Sequence, residues 1–113
     1  MDIRRIAIVG AGVIGASWAA FYLTQGFEVV ATDPAPQADA RLRDALAAFL
    51  GDRAAELSAR LSFDADLVRA LDGVDFVQEN GPERLDLKRE LYRRMDDVLP
   101  AHVPIASSSS GLK

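Results

Sequence analysis

Short apolar runs alternate along the chain with longer segments in which apolar residues recur every three or four positions. Short runs rich in β-branched residues predict strands, and strands that are apolar on both faces are typical of parallel sheets. Segments with the longer period predict helices. The predicted strands lie at residues 3–9, 27–33, 74–79 and 103–107, with a possible short strand at 62–63. The predicted helices lie at residues 13–26, 38–61, 64–73 and 83–99.

Several element ends carry residues that commonly start or stop a helix. Gly26 closes the first predicted helix, in agreement with the preference for glycine just past a helix C-terminus. Gly51 is expected to divide the second helix into two pieces, and Asp64 is expected to cap the third. The last helix is expected to place its apolar residues along one side: Leu85, Leu91, Met95 and Leu99.

Strands and helices therefore alternate along the whole chain. This alternation requires crossover connections, which place parallel strands in one sheet and helices on its two faces. The predicted fold is α/β, a Rossmann-type doubly wound parallel sheet. Its last strand is expected to be buried at Ile105 and Ala106, and the aromatic residues Trp18, Phe21 and Tyr22 are expected to pack in the core or between helices.

A glycine-rich turn, GAGVIG, follows the first predicted strand directly. Between a buried strand and a helix, this G-x-G-x-x-G spacing is typical of dinucleotide-binding turns, whereas alone it also fits an ordinary turn. The first glycine permits the tight turn, the second leaves room for a pyrophosphate, and the third lets the helix lie close to the strand. The helix N-terminus offers free N–H groups to the phosphates. The predicted cofactor-binding residues here are Gly10, Ala11, Gly12, Val13, Ile14 and Gly15.

Asp33 ends the second predicted strand, where folds with this turn carry an acidic residue. A carboxylate there accepts hydrogen bonds from the adenosine ribose hydroxyls and repels a 2′-phosphate. No Arg or Lys follows at once, since residues 34–36 are Pro, Ala and Pro. We therefore expect the cofactor to be NAD rather than NADP. FAD-binding proteins share the same glycine spacing. The alternative interpretation of Asp33 is a solvated carboxylate at the end of a strand.

Composition and charge narrow the classes of partner. The net charge of the 113 residues is −4, which disfavours nucleic acid and anionic membranes as partners. The chain has no cysteine and one histidine, His102, so no metal site is expected. No apolar run approaches the roughly 20 residues that a membrane span needs. The default expectation is a cytoplasmic protein of one domain that acts on a small-molecule substrate.

Two further strings stand in the second half of the chain. Residues 77–88 read VQENGPERLDLK, with the spacing V-x-E-x-x-P-E-x-x-x-x-K, and residues 106–112 read ASSSSGL. With GAGVIGASWAAFYLTQGFEVVATDPAP at residues 10–36, they give a chain that resembles the N-terminal part of the L-3-hydroxyacyl-CoA dehydrogenase family. Its branch of L-carnitine dehydrogenases and lambda-crystallin-like proteins is the most similar. The resemblance covers nearly the whole chain, and residues 37–72 are its least distinctive part.

The resemblance implies roles for three residues of these strings. Glu83 and Lys88 would line the nicotinamide side of the cofactor, and Ser110 would approach both the nicotinamide and the substrate oxygen. All three follow strands whose carboxyl ends should meet at the ligand-binding edge of the sheet. From the residues alone, Glu83 is also explained as a favourable charge in a first helical turn, and Lys88 as a solvated helix residue. Glu79 is expected to be a strand-end charge.

In the family that this chain resembles, the catalytic histidine lies beyond the serine string. His102 precedes that string and is expected to be an exposed loop residue. The resemblance therefore implies that residues 1–113 are a partial N-terminal dinucleotide-binding domain that binds NAD but lacks catalysis, without the helical C-terminal domain.

The same resemblance implies an activity for the full-length parent. It would be a homodimeric enzyme, of the kind found in fatty acid metabolism, that transfers hydride between NAD and the 3-hydroxyl carbon of a 3-hydroxyacyl-CoA or of a small 3-hydroxy acid such as carnitine. Two alternatives stay open. One is a non-catalytic nucleotide-binding or crystallin-like protein, and the other is a Rossmann dehydrogenase of the 3-hydroxyisobutyrate type.

Overall fold

Five parallel strands form one sheet in the order β3-β2-β1-β4-β5. A computed structural model of the chain describes residues 2–81 and 84–108. The strands are β1 (Arg5–Val9), β2 (Glu28–Thr32), β3 (Leu61–Phe63), β4 (Phe76–Glu79) and β5 (Ile105–Ser107). The strand order reverses between β1 and β4, which is the topological switch point of a doubly wound sheet. The predicted Rossmann-type fold is confirmed.

Helices cover both faces of the sheet. They are α1 (Val13–Thr24), α2 (Ala38–Leu50), α3 (Ala54–Leu57), α4 (Leu67–Ala70) and α5 (Leu85–Val98), with 3₁₀ turns at Gly51–Arg53 and Ser58–Arg60. Gly51 has a φ of 55° and ends α2, so the predicted division of the second helix is confirmed. Gly26 has a φ of 96° just past α1, as the helix-stop signal predicted.

Alternate residues of β1 build two separate cores. Ile6 and Ile8 pack with α1, α2 and α3, whereas Ala7 and Val9 pack with α4 and α5. All four side chains are at most 5% exposed. Successive side chains of a strand point to opposite faces, so a strand buried on both faces has to be apolar throughout, which is the pattern that predicted it.

The cap of α4 differs from the prediction. Asp66, not Asp64, is its N-cap, and the Asp66 carboxylate accepts a hydrogen bond from the backbone N–H of Arg69 at 3.1 Å. Asp64 instead accepts the N–H of Asp66 at 2.9 Å and the Arg69 guanidinium at 3.0 Å. These bonds to Asp64 form a turn that keeps the backbone of Asp66 extended, so α4 begins after Asp66. The prediction that Asp64 caps the helix was wrong.

Two predictions of packing were also wrong, one for β5 and one for Phe21. β5 is the outer strand of the described sheet, so Ile105 and Ala106 are half-buried rather than buried. Leu85, for which no burial was predicted, is 49% exposed at the start of α5. Phe21 is 51% exposed on α1, whereas Trp18 and Tyr22 pack against the core as predicted.

The strand register places three strand ends at one level. Val9 of β1 pairs with Thr32 of β2 and with Glu79 of β4. The residues that follow these strands therefore lie side by side at the carboxyl edge of the sheet, where doubly wound folds bind their ligands.

Candidate dinucleotide-binding site

Two glycines of the first turn are required by close backbone packing. Gly10 has a φ of 96°, and a Cβ added to it would lie 2.7 Å from the carbonyl oxygen of Asn80. A Cβ on Gly15 would lie 2.0 Å from the carbonyl oxygen of Gly10. Both contacts involve backbone atoms, so neither is relieved by a side-chain rotation. The turn can form only with glycine at these two positions.

Gly12 differs from the other two glycines of the turn. It is exposed, its backbone is extended, and no heavy atom of the described residues other than Gly12 itself and its two chain neighbours lies within 4 Å of the Cβ that it lacks. The fold therefore does not require glycine at this position. Open space over a backbone at the start of a helix is what a pyrophosphate needs in order to approach it.

The N-terminus of α1 opens into that space without a side-chain cap. Throughout the first turn of α1, all of which the structure describes, there is no acidic residue, and Gly12 provides no side-chain cap. The first N–H groups of a helix have no partner within the helix, and the helix dipole adds a partial positive charge. This end of α1 is therefore suited to an anion. Val13 and Ile14 flank it with side chains that are 75% and 58% exposed.

Asp33 is held in a fixed orientation beside the turn. One of its carboxylate oxygens accepts the N–H of Ala11 at 2.8 Å, and the other accepts the N–H of Ala35 at 2.9 Å. Each carboxylate oxygen has a further lone pair, so Asp33 can accept ribose hydroxyls without losing these bonds. Arg41 and Asp33 line one groove, and the Arg41 guanidinium donates to the Pro36 carbonyl at 2.7 Å. The residues directly after Asp33 give no sign of this cation, which lies further along the chain on α2.

A cavity of about 810 Å³ runs along the carboxyl edge of the sheet. Its lining includes Gly10, Gly12 and Asp33 on one side of the switch point and Asn80 and Gly81 on the other. Ligand pockets in proteins usually measure about 300–1,000 Å³. The cavity thus joins the predicted residues of the turn to the chain that follows β4.

Asn80 connects the ends of β1, β4 and β5, a role that was not predicted from the sequence. Its backbone N–H donates to the Val9 carbonyl at 2.7 Å, and its side-chain oxygen accepts the Ser108 hydroxyl at 2.7 Å. The backbone N–H of Ser108 donates to the Glu79 carbonyl at 2.9 Å. No local pattern marks such a residue, because its partners lie far away in the sequence.

Glu79 and Lys88 form a buried ion pair. The Lys88 ammonium donates to the Glu79 carboxylate at 2.7 Å, and their side chains are 7% and 0% exposed. The Tyr92 hydroxyl donates to the same carboxylate at 3.1 Å, and the N–H of Gly81 donates to it as well. The expectation of a simple strand-end charge at Glu79 was wrong, as was the alternative of a solvated Lys88. Since β4 is central in the sheet, a charge at its end is covered by the next helix.

The surroundings of Glu79 determine how it ionises. Burial opposes ionisation of the carboxyl, but the hydrogen bonds from Lys88, Ser107 and the Gly81 N–H outweigh it, so the pKa of Glu79 lies below its usual value. Burial and then the negative charge of Glu79 raise the pKa of Tyr92, which therefore stays a protonated donor. At neutral pH the Glu79 carboxyl is therefore ionised and the Tyr92 phenol is neutral.

Two of the predicted site residues, Glu83 and Ser110, lie outside the described residues. His102 is exposed in a turn, as predicted. In residues 2–81 and 84–108, no group of three His, Cys, Asp or Glu side chains is arranged to hold a metal ion. Over the same residues, no helix has both the length and the apolar character to cross a bilayer.

Comparisons with known proteins agree with this fold. The L-carnitine dehydrogenase of Streptomyces griseus subsp. griseus is 47% identical, over 97% of this chain and 35% of its own length. The solved structure of a diketoreductase has a TM-score of 0.86 and 31% identity, covering 97% of this chain and 43% of that chain. The 3-hydroxybutyryl-CoA dehydrogenase of Escherichia coli has a TM-score of 0.89 and 26% identity, covering 97% of this chain and 25% of that chain.

The chain thus spans about a third of the length of the curated relatives it matches. A family model described as "3-hydroxyacyl-CoA dehydrogenase, NAD binding domain" matches residues 5–113, which include the glycine turn, Asp33 and the Glu79–Lys88 pair. With that match over nearly its whole length, the chain belongs to the family of NAD-binding domains of 3-hydroxyacyl-CoA dehydrogenases.

Proposed function

We propose that this chain is the NAD-binding part of a dehydrogenase that transfers hydride between NAD and the 3-hydroxyl carbon of a small 3-hydroxy acid such as carnitine, or of a 3-hydroxyacyl-CoA. The observation that carries the proposal is the open space over Gly12, between the uncapped N-terminus of α1 and the fixed carboxylate of Asp33. NAD supplies the hydride acceptor when it is bound. The chain's own residues hold and orient it.

The residues present fit both ends of an adenosine diphosphate group. The N–H groups at the start of α1 suit the pyrophosphate, and the carboxylate of Asp33 suits the ribose hydroxyls. Lys88, Glu83 and Ser110 remain proposed contacts on the nicotinamide side. An ammonium has three N–H groups, so the bond from Lys88 to Glu79 leaves two for other acceptors.

Replacing Asp33 by asparagine is expected to weaken NAD binding about tenfold, because a charged acceptor for the ribose hydroxyls becomes neutral. NADP binding is expected to stay the same or to improve, since the charge that repels a 2′-phosphate is gone and Arg41 lines the same groove. Calorimetric titration of the wild-type chain and of Asp33→Asn with both dinucleotides measures the change. Tighter binding of NADP than of NAD by the wild-type chain would overturn the role proposed for Asp33.

Replacing Gly12 by alanine is expected to abolish measurable NAD binding while leaving the fold intact. The added methyl group meets no described atom within 4 Å, but it occupies the space that the pyrophosphate needs. Calorimetry with NAD, together with a far-ultraviolet circular dichroism spectrum, tests both halves of this statement. Undiminished NAD affinity in a folded Gly12→Ala variant would place the pyrophosphate elsewhere.

The substrate and assembly of the full-length parent are part of the same proposal. A small 3-hydroxy acid is favoured because the relative at 47% identity is named an L-carnitine dehydrogenase. Assaying the full-length parent for NADH formation with L-carnitine and with 3-hydroxybutyryl-CoA separates the two substrate classes. Three predictions from the sequence stay predictions: a homodimeric parent, a cytoplasmic location, and the absence of nucleic-acid and membrane partners.

A further inference from the structure

Glu79 is a fully buried carboxylate that is not among the proposed contacts to the cofactor. Its side chain is 0% exposed, and all its partners belong to the carboxyl edge of the sheet. It accepts hydrogen bonds from the turn that follows β4 at Gly81 and from two side chains of α5, those of Lys88 and Tyr92. Its backbone carbonyl accepts the N–H of Ser108, just past β5. One residue thus joins β4, the next turn, α5 and the chain beyond β5.

The turn that Glu79 holds forms one wall of the cavity. Asn80 and Gly81 both line that cavity, and the Asn80 carbonyl lies against Gly10 on the opposite wall. A Cβ on Gly81 would lie 2.9 Å from a methyl carbon of Leu91 and 3.0 Å from the Glu79 carboxylate. The turn is therefore packed between Glu79 and α5 without spare room. A change in the Glu79 side chain has to shift the turn or leave a buried donor without its acceptor.

Glu79 also fixes the direction of the Lys88 ammonium. Lys88 lies in the first turn of α5, and one of its N–H groups is committed to Glu79 at 2.7 Å. Since the three N–H groups of an ammonium have a fixed tetrahedral arrangement, that bond determines where the other two point. Without the carboxylate, the long lysine side chain would have several rotamers available instead of one.

We propose that Glu79 is a positioning residue for the nicotinamide half of the dinucleotide, and that it acts by orienting Lys88 and the 80–81 turn without touching the cofactor itself. This inference rests on the proposed function. Doubly wound folds bind one nucleotide on each side of the switch point. Gly12 and Asp33 belong to the side of β1 and β2, whereas Glu79 and its partners belong to the side of β4 and β5. Glu79 should therefore affect one half of the ligand and leave the other unchanged.

The test compares two ligands that differ only by the nicotinamide. Calorimetric titrations of the wild-type chain and of Glu79→Gln are carried out with NAD and with ADP-ribose, which keeps the adenosine, the pyrophosphate and the second ribose. Glutamine preserves the shape of the side chain but loses the charge that orients Lys88. Glu79→Gln is expected to weaken NAD binding about tenfold and to change ADP-ribose binding by less than about twofold. A merely structural role would weaken both ligands equally or neither, and either result overturns the inference.

Tyr92→Phe is the matched control. It removes a neutral donor to the same carboxylate and leaves the Glu79–Lys88 pair in place. Its ratio of NAD to ADP-ribose affinity is expected to match that of the wild type. A change in this ratio as large as that of Glu79→Gln would mean that any disturbance of the side chains around Glu79 weakens NAD binding, which would contradict the specific role of Glu79. If Glu79→Gln does not fold, Glu79→Asp retains the charge with a shorter reach, and a smaller change of the same ratio is expected. A wild-type chain that binds neither ligand would instead refute the proposed function itself.

Discussion

Replacing Gly15 by alanine is expected to unfold this chain or to leave it barely stable. The new methyl group would lie 2.0 Å from the carbonyl oxygen of Gly10 and 3.1 Å from its carbonyl carbon. Those atoms belong to a turn that the backbone bond from Gly10 to Thr32 holds at 2.9 Å. The clash can be relieved only by moving α1 away from β1, which opens the core around Ile6 and Ile8.

The expected loss exceeds what alanine gains as a helix former. Overpacking a tight site costs about 1–3 kcal/mol and occasionally more, whereas alanine is about 1 kcal/mol better than glycine inside a helix. A backbone contact of 2.0 Å places Gly15→Ala at the upper end of that range. We expect its thermal midpoint to fall by about 10 °C or more, as measured by circular dichroism at 222 nm.

Gly12→Ala is the matched control for Gly15→Ala. It is the same chemical change three positions earlier, at a site with no described atom within 4 Å of the new methyl group. Its thermal midpoint is expected to stay within about 3 °C of the wild type, as for ordinary surface substitutions. Equal stability of the two variants would contradict the contact between α1 and the turn. The pair thus separates the glycine that the fold needs from the glycine that the ligand needs.

The glycine turn shows how much of this site could be predicted from sequence. Its three glycines and the acid at Asp33 act within one strand–turn–helix–strand unit, so their spacing along the chain specifies their geometry. The same holds for most of the sheet, because the buried parallel strands are apolar on both faces. Prediction was weakest at the edge of the sheet, at β5, where the burial of a residue depends on which neighbour packs beside the strand.

The second half of the site was harder to predict because its contacts are not local. Asn80 bonds to Val9 and Ser108, which are distant in sequence, and no spacing rule marks it. Glu79 gave one usable signal: it is a charge at the end of a central strand that the next helix must cover. A charge in that position needs a partner, and Lys88 is the lysine of that helix. Once the strand order is known, the burial of Glu79 therefore predicts its pairing with Lys88.

Replacing Lys88 by methionine is expected to destabilise the chain at neutral pH by about 3 kcal/mol or more, because it leaves a buried carboxylate without its counter-ion. Methionine nearly matches the lysine stem in length, so little packing is lost. Urea unfolding at pH 7, followed by circular dichroism, gives the difference in the free energy of unfolding between Lys88→Met and the wild type. A difference near zero would mean that the ammonium is not committed to Glu79 in solution.

The pH dependence identifies the carboxylate as the source of that loss. In the wild type the pKa of Glu79 lies below its ordinary value of 4.5, so its contribution to stability is present above pH 4.5 and is lost as the pH falls through the lowered pKa. Without Lys88, burial dominates and should raise that pKa, so the variant is expected to regain stability as the pH falls and the carboxyl becomes protonated. The difference in the free energy of unfolding between Lys88→Met and the wild type should therefore narrow from pH 7 toward pH 4.

Adding Glu79→Gln to Lys88→Met removes the unpaired charge at every pH. The double variant is therefore expected to be more stable than Lys88→Met at pH 7 and to lose this pH dependence of stability. If the double variant is instead the less stable of the two at pH 7, the destabilisation comes from lost packing and not from an uncompensated charge.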